Sequence, residues 1–65
     1  NVEFRVSSIK KAVHELKLKG VKFFTDKKQP NLIKITSAEI MEFPWGKIAL
    51  FKDSEGNTLA LVDDE

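Results

Sequence analysis

Apolar and charged side chains alternate at the start of the chain and then change their spacing. Residues 2–6 read VEFRV, and a period of two with β-branched and aromatic residues predicts a strand with one buried face. Apolar side chains next recur at three- and four-residue intervals, at Ile9, Ala12, Val13 and Leu16. This spacing predicts an amphipathic helix whose other face carries solvated lysines.

Both ends of the predicted helix carry recognisable signals. Ser7 or Ser8 is placed to accept a hydrogen bond from an amide of the first turn. Gly20 stands where a left-handed residue ends a helix, and Val21 is placed to fold back on the last turn.

Three further strands are predicted after the helix. They comprise residues 21–24, 46–52 and 57–62, which are mainly apolar. The last two flank the sequence DSEGN at residues 53–57, where Gly56 supplies the positive φ of a hairpin connection.

The segment between the second and third strands is harder to interpret. Residues 25–31 are polar and predict a loop, whereas residues 32–35 read LIKI and fit a continuing strand. Residues 37–42 are compatible with a strand, a loop or a short helical turn. Pro44 ends whatever precedes it, because proline has no amide donor and restricts the preceding residue.

The predicted fold is therefore a single α+β module over residues 1–65. One helix packs on a four-stranded, mainly antiparallel sheet, in the order strand, helix, strand, strand, strand. The other sheet face has no cover within these residues, so it is either shielded by something else or polar. A domain of this size buries only roughly 60% of its unfolded surface, which favours assistance from a partner.

Composition excludes several classes of chemistry. The chain has no cysteine, which removes disulfides, thiolate metal sites and cysteine nucleophiles and suits the cytoplasm. No apolar run approaches the ~18 residues of a membrane span, so we expect no membrane association. The first residue is Asn1 rather than Met, so we expect further residues upstream, where an N-terminal partner module is to be kept in mind.

Charge is distributed unevenly along the chain. Residues 1–34 hold nine Lys or Arg against three Asp or Glu, and residues 35–65 hold two against seven. This asymmetry is compatible with a nucleic-acid surface. We instead predict a solvated lysine face and no nucleic-acid partner, because the basic half lacks an arginine cluster or an aromatic ladder.

The sequence WGKIALFKDSEGNTLALV, residues 45–62, resembles the closing hairpin of the vicinal oxygen chelate superfamily. That superfamily includes glyoxalase I, bleomycin-resistance proteins and extradiol dioxygenases. Residues 6–12 resemble its strand-to-helix junction, and residues 16–23 resemble its helix end and second strand. The resemblance implies a βαβββ module that pairs with a copy of itself, or with an upstream module, to form a cup.

In catalytic members of that superfamily the cup holds a divalent metal. The resemblance places its two module ligands at Asn1 and at Ala60, four residues after Gly56. Alanine has no donor atom and the asparagine amide is a weak neutral ligand. We therefore expect no metal from this chain; zinc, nickel, manganese or iron would need ligands from elsewhere.

Alternation along the first and last strands assigns side chains to the two sheet faces. Leu59 and Leu61 should lie under the helix, as should Val2, Phe4 and Val6. The ligand-pocket candidates on or beside the cup face are Glu3, Arg5, Trp45, Thr58 and Ala60. For Glu3 and Arg5 the favoured interpretation is an ion pair or an interface role. Trp45 either stacks on a ligand or plugs the end of the sheet.

Other polar residues are weaker candidates. Glu39 and Glu42 are expected to be solvated rather than catalytic, and His14 lacks metal-binding neighbours on its helix. The final residues, 63–65, are expected to form a solvated tail.

Three functional hypotheses follow. The first is a small-molecule-binding module, paired as a dimer, that encloses its ligand without a metal, as drug-sequestering relatives do. The second is part of a glyoxalase-type lyase or isomerase, or a dioxygenase, whose metal ligands lie outside this chain. The third is a structural pairing half-domain, so whether the protein is an enzyme stays open.

Overall fold

The computed structural model describes residues 2–36 and 39–64. These residues form one helix and six strands in a single mixed sheet, which is the predicted α+β architecture with a helix packed on a sheet. In chain order the elements are β1 (Val2–Arg5), α1 (Ile9–Leu18), β2 (Phe23–Phe24), β3 (Lys34–Ile35), β4 (Met41–Phe43), β5 (Gly46–Lys52) and β6 (Thr58–Asp63).

The sheet is organised around β5. Its strand order is β1-β6-β5-β4-β3, and β2 also pairs with β5. β1 runs parallel to β6, whereas the other pairs are antiparallel. The helix packs on β5 and β6, so the sheet has one covered face and one face away from the helix.

β3 and β4 are additional to the four predicted strands. They lie between residues 32 and 43, where the sequence pattern did not decide between strand, loop and helical turn. Thr36 N–H donates to the Ile40 carbonyl at 2.9 Å, and Glu39 N–H donates to the Thr36 carbonyl at 3.0 Å. These bonds connect β3 to β4; Ser37 and Ala38, within this connection, lie outside the described residues. A two-residue turn then joins β4 to β5.

The core lies between the helix and the sheet. It includes Ala49 of β5, which is fully buried. The Phe23 and Phe51 rings meet edge to face, 5.3 Å apart. The other members of the buried cluster are Ile9, Val13, Ile40 and Leu61. Burying each large aliphatic side chain contributes about 1.5–3 kcal/mol.

The helix ends as predicted. Gly20 has φ +90°, its N–H donates to the Lys17 carbonyl, and the Val21 N–H donates to the Leu16 carbonyl, both at 3.0 Å. These two bonds are the Schellman pattern, which satisfies carbonyls that the helix leaves without a partner.

The helix begins differently from the prediction. Ser8 occupies the capping position, but its side chain makes no capping hydrogen bond. Instead the Ile9 N–H donates to Asp63 Oδ2 at 3.2 Å. The prediction of a solvated tail is therefore wrong for Asp63, which belongs to β6 and places negative charge at the positive end of the helix dipole.

Burial of β1 also differs from the prediction. Val2 and Phe4 lie on the helix side of the sheet but remain 49% and 48% exposed. The helix covers β5 and β6 and leaves the outer strand uncovered. Of the three apolar residues expected under the helix, Val6 packs against the core.

Gly46 lies where the end of β6 passes close to the start of β5. A Cβ atom at this position would lie 2.5 Å from the Asp63 carbonyl oxygen and 2.7 Å from Asp64 Cα. Real Cβ atoms do not approach backbone this closely, so the absence of a side chain lets the two strands meet.

Gly46→Ala should therefore destabilise the fold, by about 1–3 kcal/mol, the usual cost of overpacking. Chemical denaturation followed by circular dichroism measures the change. Ser54→Ala, in the exposed β5–β6 turn, is the control and should stay within about 0.5 kcal/mol of wild type. Equal stability of the two variants would show that the strands separate without cost.

Asp53 organises the β5–β6 turn. Its Oδ1 accepts hydrogen bonds from the Asn57 N–H at 2.8 Å and the Glu55 N–H at 2.9 Å, and its Oδ2 accepts from Asn57 Nδ2 at 3.1 Å. The Asn57 backbone amide is the main cause of a pKa of Asp53 below its ordinary value, followed by the Asn57 side chain. The ionised carboxylate therefore stabilises the turn.

Because the folded pKa of Asp53 is lowered, its stabilisation is complete above the unfolded pKa and is lost as pH falls through the folded pKa. Asp53→Asn should lower the melting temperature near neutral pH, and the difference from wild type should shrink as the solution is acidified. Thermal melts from about pH 6 to about pH 2 follow this difference. Glu55→Gln is the control, and its melting temperature should follow that of wild type at each pH. If the melting temperatures of Asp53→Asn and wild type differ by the same amount at every pH, the ionised Asp53 carboxylate is not what stabilises the turn.

Candidate functional site

The face of the sheet away from α1, here called the open face, carries two ordered rows of side chains. Strand register determines the rows, because paired residues on neighbouring strands share a face. The first row runs from β1 to β3 through Arg5, Val62, Ile48, Met41 and Ile35. The second row runs from β1 to β2 through Glu3, Ala60, Leu50 and Phe24.

The centre of the open face is apolar and its β1 side is charged. Ala60 and Val62 are buried, and Ile48 and Leu50 beside them are half-buried. Met41 is 1% exposed, so the β4 side of the face is already closed over within the chain. An apolar centre with a polar border is typical of a ligand pocket or an interface core.

The predicted alternation agrees with this register. Leu61 lies in the core beneath the helix, whereas its neighbours Ala60 and Val62 lie on the open face. Glu3 and Arg5 share the open face with them. Contact of these residues with a ligand stays a prediction.

Arg5 pairs with Asp64 rather than with Glu3. Arg5 Nη1 donates to Asp64 Oδ2 in an ion pair whose side chains are 73% and 35% exposed. The favoured interpretation for Glu3 and Arg5 was an ion pair or an interface role. Its ion-pair alternative was wrong for Arg5, because parallel pairing of β1 with β6 brings this side chain beside the residue that follows β6. The interface role stays a prediction. An exposed pair of this kind contributes about 0–1 kcal/mol, so it serves mainly to orient Arg5.

Trp45 lies in the turn between β4 and β5. Its ring stacks on Phe43, with centroids 5.3 Å apart and planes 15° apart, and it remains 51% exposed. One ring face is therefore covered by Phe43, as expected of a residue that closes the sheet end. The exposed half leaves room for stacking with a flat ligand.

The five candidate residues spread along the open face instead of forming one cluster. Trp45 and Arg5 lie towards the same end, where Gly46 meets Asp64. Glu3 and Ala60 are neighbours in the second row. Thr58 lies at the opposite end, across from Lys52. A single small ligand would contact a subset of them.

The remaining candidates lie elsewhere. Glu42 lies in register with Lys47 on the helix side of the sheet, and its Oε2 is 4.0 Å from Lys34 Nζ. Glu39 has φ +61° and a buried Oε2 without a hydrogen-bond partner among the described residues. His14 is exposed on α1.

No three His, Asp or Glu side chains in residues 2–36 and 39–64 are grouped so that they could hold one metal ion. Ala60, the predicted last-strand metal position, contributes a methyl group to the open face. Asn1, the predicted first-strand position, lies outside the described residues, as does Glu65 of the expected tail.

Sequence analysis missed the contacts of Asp63 and Asp64, because both residues were assigned to a solvated tail. Asp63 continues the alternation of Leu59 and Leu61, so a period of two extended by one step would have placed it under the start of the helix. Asp64 has no such signal, because its contact with Arg5 depends on long-range pairing of β1 with β6.

The helix found in the described part of the chain is too short and too polar to cross a membrane. Searches against family models, curated proteins and solved structures find no match for this chain. The vicinal oxygen chelate resemblance stays a prediction.

Proposed function

We propose that this chain is one module of a paired protein that encloses a small apolar or aromatic ligand, in the manner of the bleomycin-resistance group of the vicinal oxygen chelate superfamily. The observation that carries the proposal is the apolar open face beside an uncovered edge strand. Each part supports a different half of the proposal, the face supporting ligand binding and the edge supporting pairing.

The edge is that of β1, the outer strand of the sheet. All four of its residues are exposed. Val6 N–H donates to the Val62 carbonyl, so alternate residues Val2 and Phe4 direct their backbone groups towards β6. The backbone groups of Glu3 and Arg5 consequently point outwards. An edge strand with outward donors and half-exposed apolar side chains is a template for pairing with another strand.

Pairing along β1 would join two open faces into one continuous concave surface. Ala60 and Leu50, near the middle of each face, would contribute alkyl groups to its lining. Trp45, half exposed at the end of the face, would offer a flat surface for stacking. Such a lining binds through apolar contact, with Glu3 and Arg5 at its border adding polar contacts.

We expect the chain to sediment at twice its monomer mass of 7.4 kDa in analytical ultracentrifugation at micromolar concentration. Phe4→Lys should shift it to the monomer, because the new charge lies beside the pairing edge. Leu18→Lys is the matched control: it replaces another exposed apolar residue, on the helix, and should leave the dimer intact. A wild-type chain that is monomeric up to millimolar concentration would refute pairing with a copy of itself.

Ligand binding has a separate test. The apolar dye anilinonaphthalene sulfonate should bind saturably and quench Trp45 fluorescence, since the ring borders the open face. Ala60→Glu places a carboxylate near the middle of that face and should weaken dye binding by about tenfold or more, about 1.4 kcal/mol. Ser54→Glu adds the same charge in an exposed turn and should bind like wild type, with circular dichroism confirming that both variants fold. Equal dye affinity for the two variants would exclude the open face as the site.

A further inference from the structure

The opposite side of the sheet holds a cleft that the proposed function does not use. It lies between α1 and the strands β3, β4 and β5 and has a volume of about 610 Å³. Its polar lining consists mainly of basic residues, which are Lys10, His14, Lys17, Lys34 and Lys47.

Two different periodicities bring these basic residues together. Lys10, His14 and Lys17 are spaced by four and three residues, so they share one face of α1. Lys34 and Lys47 both lie in register with Glu42 on the helix side of the sheet. Helix and sheet thus present their basic side chains to the same space.

The acidic side chains of the cleft do not balance the charge of its lysines. Among the described lining residues Glu42 is the one acidic side chain, against four lysines, which leaves a formal charge of +3 with the histidine neutral. Asp63 continues the same row beyond Lys47, but its carboxylate accepts the Ile9 N–H at the start of the helix. The cleft therefore favours an anion.

The charge of the lining favours phosphate over carboxylate. Lysine ammonium groups bind phosphate as point charges, and a net charge of +3 attracts a phosphate dianion more strongly than a singly charged carboxylate. The chain's arginine, Arg5, lies on the open face and pairs with Asp64.

The floor of the cleft is apolar. Val13 and Ile40 line it and are each 1% exposed, and the Thr36 hydroxyl nearby donates to the Ile40 carbonyl at 3.3 Å. Its volume falls within the range of about 300–1,000 Å³ typical of small-molecule pockets. Neither Phe nor Trp is among its described lining residues, so it lacks the stacking platform of single-stranded nucleic-acid sites.

We infer that this cleft binds a small phosphomonoester, with the phosphate among the lysine ammonium groups and the apolar part of the ester against the lysine methylene stems above Val13 and Ile40. The inference rests on the helix side of the sheet alone. It is independent of the pairing and of the ligand proposed for the open face.

Phenyl phosphate is the probe, titrated into the ¹⁵N-labelled chain at constant ionic strength and followed by NMR chemical shifts. We expect saturable shifts of the amides around the cleft and weaker binding at higher salt. Inorganic phosphate should shift the same amides with lower affinity, because it lacks an apolar part. If it instead binds as tightly as the ester, or if phenol does, the phosphomonoester assignment is wrong.

Lys10→Gln/Lys17→Gln should raise the dissociation constant of phenyl phosphate roughly tenfold, since two exposed charge contacts are lost. Lys27→Gln/Lys28→Gln removes the same charge from an exposed loop and should change it less than about twofold. If both double variants weaken phenyl phosphate binding equally, the effect comes from net charge and not from the cleft, and the proposal is wrong. Tighter binding of a thymidine decanucleotide to the same amides would identify a polyanion surface instead and overturn the proposal.

Discussion

The register of the β5–β6 hairpin determines which side chains lie on each face of the sheet. These strands pair from Lys47 opposite Asp63 to Lys52 opposite Thr58, and Asp53 closes the turn between them with three hydrogen bonds. A slip of one residue would move Leu61 out of the core and exchange the two faces. The other strands add to this pair directly or through β4, so the arrangement of the cleft and of the open face depends on its register.

Local signals were enough to predict the helix, its termination at Gly20 and the hairpin, because each depends on neighbours within a few residues. β3 and β4 were not predictable in the same way. They are two and three residues long, and they are held by pairing with each other and with β5 rather than by their own propensity. The positive φ of Glu39 between them is uncommon for a residue with a side chain, and no local pattern indicates it.

For the candidate site, alternation predicted which residues face away from the helix but not what they contact. Arg5 meets Asp64 across 59 positions of sequence, and Ile9 meets Asp63 across 54. Both contacts follow from parallel pairing of β1 with β6, a long-range arrangement that local periodicity does not specify. The exposure of Phe4 is also not specified locally, because it depends on how far the helix extends across the sheet.

The fold determines where the basic and acidic halves of the chain lie in space. The fold brings the acidic end back to the start of the chain, where Asp63 meets the helix amide and Asp64 meets Arg5. These contacts compensate charge at one end of the molecule. The lysines on α1 lie further along the helix and face Lys34 and Lys47 across the cleft. Folding therefore brings opposite charges together at the β1–β6 junction and gathers lysines between the helix and β3–β5.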